Sequence, residues 1–322
     1  MDNNRVKELK QKVIGGYKVG FDEAYDLYNS DYDTLTQSAD EIREHFMKDS
    51  FDLCTIISAK GGNCSEDCKF CAQSAHYNNN ADVYPLLDED TVLKDAKKQK
   101  DKGVDRYSLV TVGKRLTDDE VNAAAKICKK IVKDVNIDVC VSFGLLSYEN
   151  FKKLKDAGVS RIHNNLESSG EYFPKVCSTH SYDEKIQAIK NAKKAGLDVC
   201  SGGIFGIGES LSDRINMALT LRELDIKSIP INVLNPIKNT PYENNPVLHK
   251  EEVNRIIAMY RFILPDAYIR TAGGRALLGD KGLSAFKSGA NAAISGDMLT
   301  THGIDTKSDI AMIRSIGFKA NK

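Results

Sequence analysis

The sequence has no surplus of either charge. Its 45 lysines and arginines balance 45 aspartates and glutamates, so composition shows none of the basic excess that marks nucleic-acid binding. No apolar run approaches the roughly 18 residues that read as a membrane span. The first residues, MDNNRVKELKQKV, lack the apolar core of a secretory signal. The expected location is therefore the cytoplasm, with neither a membrane nor nucleic acid as partner. Low-complexity segments and long linkers are absent too, which favours one domain. In a reducing compartment, eight cysteines are expected to be metal ligands, catalytic groups or small buried hydrophobes rather than disulfides. The rest of the 322-residue chain, 41% apolar and 28% charged, is ordinary for a globular protein.

Short β-rich runs alternate with longer amphipathic stretches from about residue 50 onward. The runs are DLCTIIS (52–58), DRYSLVTVG (105–113), IDVCVSFG (137–144), VSRIHNNLE (159–167), LDVCSGGIFG (197–206), KSIPINVLN (227–235), AYIRTAGG (267–274) and ANAAISGD (290–297). Between them, segments such as 117–133 and 181–195 have helical spacing. Thr117 with Glu120, and Ser181 with Glu184, have the spacing of capping boxes. Repeated AGV, AGL and KGV read as helix-terminal glycines entering the next strand. Eight strands alternating with helices predict an α/β fold, a (β/α)8 TIM-type barrel with extra N-terminal helices. An open doubly wound sheet is the alternative. The expected division is a single domain over 1–322, with a helical extension at 1–50 and the barrel at 51–322. A barrel places functional groups on the inward face or at the C-terminal strand ends. In RIHNNLE, His163, Asn165 and Glu167 are spaced by two and so share one strand face. A solvated edge would explain such a face in an open sheet but not inside a closed parallel barrel.

GNCSEDCKFC, residues 62–71, follows the first run and carries Cys64, Cys68 and Cys71. A structural zinc site wants four protein ligands, so three thiols in one loop suggest a centre left one ligand short. Zinc completed by His76 or Cys54 is the bland alternative, although this spacing is unusual for zinc. A cubane iron–sulfur cluster held by three cysteines leaves one iron open. Three further cysteines lie mid-strand, namely Cys54, Cys140 and Cys200, whereas Cys128 falls in a helical stretch and Cys177 in a loop. One buried strand cysteine is usually a small hydrophobe; three on different strands of one barrel could converge on its axis. Arg270 adds a permanent cation in a strand.

The C-x3-C-x-aromatic-C pattern of Cys64, Cys68, Phe70 and Cys71 resembles that of the radical S-adenosylmethionine enzymes. That resemblance implies a [4Fe–4S] cluster whose open iron is chelated by S-adenosyl-L-methionine, and reductive cleavage to a 5′-deoxyadenosyl radical. The stretches GGNCSEDCKFCAQSAHY, HNNLESS, VCSGGIFGIGES, SIPINVLNPIKNTP, YIRTAGGR and GANAAISGDMLTT narrow it to the biotin synthases, from about residue 40 to 320. What this implies is a sulfurtransferase that inserts sulfur into dethiobiotin, the sulfur coming from an auxiliary iron–sulfur cluster inside the barrel. The family holds that cluster, a [2Fe–2S] form, with three strand cysteines and an arginine; Cys140, Cys200 and Arg270 match. The third cysteine is replaced, because the Arg-aromatic-Cys segment reads Arg106-Tyr107-Ser108 here. Serine is a poor iron ligand, and Cys54 stands on the adjacent strand where the family usually has serine. The expectation is a remodelled cluster with Cys54 as ligand, in a four-iron form.

The same matching assigns Asn165 and Glu167 to the ribose of S-adenosylmethionine, Lys185 to its carboxylate, and Asn232 to substrate contact. His163, at a position usually held by asparagine, is a further substrate-side candidate. The glycines at 202, 203, 206 and 208 would let backbone approach a ligand closely. Reduced flavodoxin or ferredoxin as electron donor and a homodimeric assembly are implied by resemblance alone. Other radical enzymes on the same barrel, of the hydrogenase-maturation or methylornithine synthase type, are the nearest alternative. A non-catalytic iron–sulfur or zinc module is the alternative from another class.

Overall fold

A computed structural model describes residues 1–319. Nine strand segments run in parallel: β1 (Asp52–Lys60), β2 (Arg106–Thr111), β3 (Asp138–Ser142), β4 (Arg161–His163), β5 (Asp198–Cys200), β6 (Gly203–Phe205), β7 (Ser228–Val233), β8 (Tyr268–Thr271) and β9 (Ala292–Ser295). Neighbours pair in chain order, and β1 also pairs with β9. β5 pairs with both β4 and β7, while β6 continues along β7. β5 and β6 are therefore one barrel strand broken at Ser201 and Gly202. The sheet is a closed eight-stranded parallel barrel, and the open-sheet alternative falls away.

The break has a local cause. Asn165 Oδ1 accepts the Gly202 N–H at 3.1 Å, and the Gly202 carbonyl accepts the Glu167 N–H at 3.1 Å. A Cβ on Gly202 would lie 2.1 Å from the Pro230 carbonyl oxygen, and one on Gly203 would lie 2.6 Å from the Glu167 carbonyl oxygen. These glycines let neighbouring strands approach, so the close contact expected with a ligand is made instead within the fold.

Helices wrap the barrel where sequence spacing predicts them. α4 (Glu89–Asp101), α5 (Asp118–Lys130), α6 (Tyr148–Asp156), α7 (Tyr182–Lys194), α8 (Leu211–Glu223) and α9 (Lys250–Ile263) each precede a strand. The capping boxes at Thr117 and Ser181 are both formed. Gly103, Gly158 and Gly196 have φ of 89°, 91° and 78°, the left-handed turn that ends a helix before the next strand. α5 runs on into a π-helical turn over Ile131–Val135. Outside this ring, α1 (Asn3–Ile14), α2 (Phe21–Tyr28) and α3 (Tyr32–Met47) pack on one another and on α8 and α9.

The two faces of the barrel wall differ in kind. Outward-facing Leu53, Leu109, Val139, Val141, Ile162, Val199, Ile229 and Ile269 are buried under the helices in one continuous apolar core. That burial against the helix ring stabilises the fold by the usual roughly 25 cal/mol per Å² of apolar surface. The inward positions, offset by one residue, carry Cys54, Arg106, Ser108, Cys140, Arg161, His163, Cys200 and Arg270. Polar groups are placed here without a hydrophobic reason.

Candidate active site

One cavity of about 420 Å³ occupies the barrel and its C-terminal mouth, within the range of small-ligand sites. Cys64, Cys68 and Cys71 line its rim, and Cys54, Cys140, Cys200 and Arg270 line its floor and walls. Asn165, Glu167, Lys185 and Asn232 are also on the lining, as is His163, which is level with Cys200. These twelve residues thus face the same space, whereas His76 and the glycines at 202, 203, 206 and 208 do not line it.

The rim is a loop held by polar contacts. Cys64 N–H donates to the Gln73 carbonyl at 2.8 Å, and Cys64's carbonyl accepts from Ala75 N–H at 2.8 Å. The loop is clamped to residues 176–180: Asp67 Oδ1 accepts the N–H groups of Ser178 at 2.8 Å and Thr179 at 3.2 Å. Glu66 Oε2 accepts from Thr179 Oγ1 at 2.8 Å and lies 2.6 Å from His180 Nδ1. His76, the alternative zinc ligand, instead reaches the Ser65 carbonyl at 3.0 Å from the loop's exposed side. Cys177, placed by sequence in an unremarked loop, lies against Cys68 and shares a hydrogen bond with it. That bond, together with burial, pushes the Cys68 thiol up, and the same bond with those from His180 and Thr179 brings Cys177 down to about 4.

Strand register fixes the floor. Cys140 is opposite Ser108 on β2 and Arg161 on β4; Cys200 is opposite His163 on β4 and Ser228 on β7. Cys54 is opposite Arg106, while Ser108 is opposite Ile56. Cys54 therefore sits two residues deeper along the barrel than Ser108, a diagonal displacement of about 7–8 Å where a purely lateral swap would be about 5 Å. Burial raises the Cys54 thiol to about 12 and Cys140 to about 11. Cys200 behaves differently. Burial works against ionisation, but the hydrogen bond and charge of His163, with the charges of Arg270 and Arg161, bring it down to about 6.

Arg270 is anchored and still has a donor to give. Its Nη1 donates to the carbonyls of Asp52 at 3.0 Å and Ala293 at 2.9 Å. Its Nη2 lies 3.1 Å from Asp52 Oδ2 but is not aligned for a hydrogen bond and has no other partner. Asp52 Oδ2 also accepts from Arg161 Nη1 at 2.9 Å. Burial alone would raise the Asp52 carboxyl; Arg270, Arg161 and Arg106 outweigh it and hold it well below the usual carboxylate range.

Between rim and floor, Asn165 Nδ2 donates to Glu167 Oε2 at 3.2 Å. Glu167 is a non-glycine residue at φ 68°, a conformation that costs of order 1–3 kcal/mol and persists where the surroundings enforce it. Burial raises its carboxyl, partly opposed by Lys185 and His163. Asn232 Nδ2 donates to the Gly203 carbonyl at 3.0 Å, and its Oδ1 accepts the Gly273 N–H at 2.9 Å.

Comparison with known proteins places this arrangement. The sequence model of the Radical SAM superfamily matches residues 59–221, and that of the Biotin and Thiamin Synthesis associated domain matches residues 230–319. Biotin synthase from Clostridium botulinum strain Hall is 49% identical over 316 residues, covering 98% of this chain and 99% of the relative. The chain belongs to the biotin synthase family. Biotin synthase from Brachyspira hyodysenteriae is 51% identical over 312 residues, covering 97% of this chain and 94% of the relative. Among solved structures, methylornithine synthase superposes with TM-score 0.83 at 20% identity, covering 98% of this chain and 97% of that one. A maturase of the [FeFe]-hydrogenase superposes with TM-score 0.84 at 16% identity, covering 98% and 75%. At such identities these two establish the barrel alone, so the alternative functions drawn from them remain distant.

Membership of the biotin synthase family brings a [4Fe–4S] cluster and S-adenosylmethionine. The donor set fits an iron–sulfur enzyme of that kind: two groups of three thiols face one cavity, and the Arg270 Nη2 donor is buried without a hydrogen bond. Sequence reasoning passed over Asp52, Arg161, Glu66, Cys177 and His180. Arg161 was within reach of the spacing-by-two rule, which extends backward from His163. The Cys-x2-His spacing of Cys177 and His180 was a ligand signal in its own right.

Proposed function

We propose that this chain converts dethiobiotin to biotin as a radical S-adenosylmethionine sulfurtransferase. The observation that carries the reading is the single cavity joining a three-cysteine rim to a three-cysteine floor. When bound, the rim cluster with S-adenosylmethionine supplies the radical that takes hydrogen from the substrate's methyl and methylene carbons. Cys64, Cys68 and Cys71 hold that cluster through one thiolate each. Asn165 and Glu167 hold the ribose hydroxyls, the Gly202 amide fixing the Asn165 carboxamide and Asn165 Nδ2 in turn orienting the Glu167 carboxylate. Lys185, facing Glu167 and Cys68, pairs with the co-substrate carboxylate. Asn232, tied between Gly203 and Gly273, orients the substrate, and His163 steadies the Cys200 thiolate from the substrate side.

Cys54, Cys140, Cys200 and Arg270 hold the sulfur-donating cluster in this reading. Three thiolates can leave one iron of a cubane without a protein ligand, as at the rim, so a four-iron centre suits this set. Support comes from Cys54 and Cys200 both feeling the Arg270 charge, and from Cys140 feeling Cys200. Ser108, which hydrogen-bonds Cys140, acts as a neighbour and not a ligand. The chain is read as one barrel domain over 51–322 with the helices of 1–50 packed outside it, working in the cytoplasm as a homodimer with reduced flavodoxin or ferredoxin as donor. Among the described residues no helix is long and apolar enough to cross a membrane. Anaerobic reconstitution, chemical counting of iron and sulfide, Mössbauer spectroscopy of the iron, and assay of biotin from dethiobiotin test the proposal together. Cleavage of S-adenosylmethionine without any sulfur insertion would sink it.

A further inference from the structure

Cys177 and His180 have no part in the reaction just described, yet they are built into its rim. The sulfurs of Cys68 and Cys177 and a ring nitrogen of His180 all lie within 4.8 Å of one another. Cys177 Sγ is 3.3 Å from His180 Nδ1. A tetrahedral ion with metal–sulfur bonds near 2.3 Å and metal–nitrogen bonds near 2.0 Å sets these separations at about 3.5–3.8 Å. Shifts of about an ångström or less, inward for the longer separations and slightly outward for Cys177 and His180, would close the triad on one ion. Among the described residues, no other triad of histidine, cysteine and carboxylate ligand atoms is so tight.

A second observation points the same way. The His180 ring is buried, at 9% exposure, and its Nε2 has no hydrogen-bond partner. Nδ1, the nitrogen 3.3 Å from Cys177, also stands 2.6 Å from Glu66 Oε2, so an ion taken by Nδ1 displaces that contact and keeps the Glu66 carboxylate beside it as a counter-charge. The two segments are already pinned together. Lys69 N–H donates to the Val176 carbonyl at 3.0 Å, and Asp67 holds the Ser178 and Thr179 amides. No backbone rearrangement is needed to bring the ligands into one place.

We propose that, in the cluster-free chain, Cys68, Cys177 and His180 bind one divalent ion of the ferrous or zinc type, and that this ion and the rim cubane exclude each other. Both sulfurs bind as thiolates: Cys68, held as a thiol in the empty site, gives up its proton to solvent on binding, and no electron is transferred. Two thiolates and an imidazole suit either metal. An iron held here is already attached to one of the three sulfurs the cubane needs, and Cys68 must leave this ion, or carry it, when the cluster is built. The site itself is independent of the reaction proposed above; the exclusion rests on Cys68 being a cubane ligand.

Cobalt(II) is the probe, added anaerobically to a Cys64→Ser/Cys71→Ser chain that cannot hold the cubane by three thiolates. The expected result is one Co²⁺ showing sulfur-to-metal charge transfer and tetrahedral d–d bands. Adding Cys177→Ser or His180→Ala should weaken it by more than the roughly 10–100-fold that loss of an outer-shell partner costs. Cys177→Ser in an otherwise unaltered chain should still build the rim cubane, which shows that the fold survives. No Co²⁺ bound to the double variant, or a spectrum and affinity indifferent to Cys177→Ser, overturns the site. Reconstituting the cubane in Co²⁺-loaded full chain should release the ion to a chromophoric chelator. Retention beside a complete cubane overturns the exclusion, and with it the assignment of Cys68 to the cubane, while the site stands.

Discussion

The two cysteine sets of this barrel are held by opposite means. The rim set lies within eight residues of sequence, is half-buried, and owes its shape to turns and to polar clamps from residues 176–180. The floor set comes from three strands far apart in sequence, is buried, and owes its shape to β-register. Its surroundings carry Arg161 and Arg270 on the shared carboxylate of Asp52, and Arg106, which donates to Asp138. A loop site can be dismantled without disturbing the core, whereas a strand site is part of the core. The chemistry follows the same division. The rim cysteines line the barrel mouth, where a co-substrate can enter and leave, and the floor cysteines stand among guanidinium groups whose charge favours thiolate over thiol.

The sharpest break in this comparison is at Cys68. Cys68→Ala should abolish 5′-deoxyadenosine formation while leaving the floor iron in place; normal cleavage by this variant would remove the rim assignment. Next is Cys54→Ser, expected to lose the floor cluster and biotin formation while the rim still binds S-adenosylmethionine. Iron should then fall from about eight per chain, the sum for two four-iron clusters, toward about four; full iron and activity would make Cys54 a core residue only. Asp52→Asn comes third. It leaves Arg161 and Arg270 without their shared counter-charge, so denaturant unfolding of the cluster-free chain should show a loss of about 3–5 kcal/mol, and an unchanged midpoint would mean the arginines are compensated elsewhere. Glu167→Ala should weaken S-adenosylmethionine binding by about 1.5–3 kcal/mol, the worth of hydrogen bonds to a charged group, with both clusters retained; calorimetry showing the same Kd takes Glu167 out of the site. Ser108→Ala is the smallest. Iron content and biotin yield should stay close to the parent, and loss of the floor cluster would return Ser108 to the ligand set.

All eight barrel strands were legible because a parallel strand buried on both sides reads as an uninterrupted β-rich run bounded by helix-terminal glycines. The polar inward face was legible where it repeats at a spacing of two, as in His163, Asn165 and Glu167. The break in the fifth strand was not. It arises when the Asn165 carboxamide captures the Gly202 amide, a contact between strands that no local pattern announces. The π-helical turn after α5 was hidden for the same reason, since nothing in IVKDV departs from ordinary helix. The depth of Cys54 relative to Ser108 also needed register, which sequence alone leaves free. The pairing of Cys68 with Cys177, 109 positions apart, depends on the clamp made by Asp67 and Glu66, two acids whose spacing in sequence gives no sign that they reach residues 178–180.

The Asp52 ion triad has a consequence for the timing of synthesis. Asp52 is on the first barrel strand, Arg161 lies 109 positions later, and Arg270 lies 218 positions later. β1 cannot gain its second neighbour until β9 has been made. At the roughly 5–20 residues per second of translation, a nascent chain carries an unpaired β1 edge, with its carboxylate uncovered, for about ten seconds or longer. The rim loop, whose cysteines are neighbours in the chain, emerges early and needs only residues up to about 180 for its clamps. The rim loop can thus take its shape on an unfinished protein, whereas the floor is walled in only once the last strand has arrived.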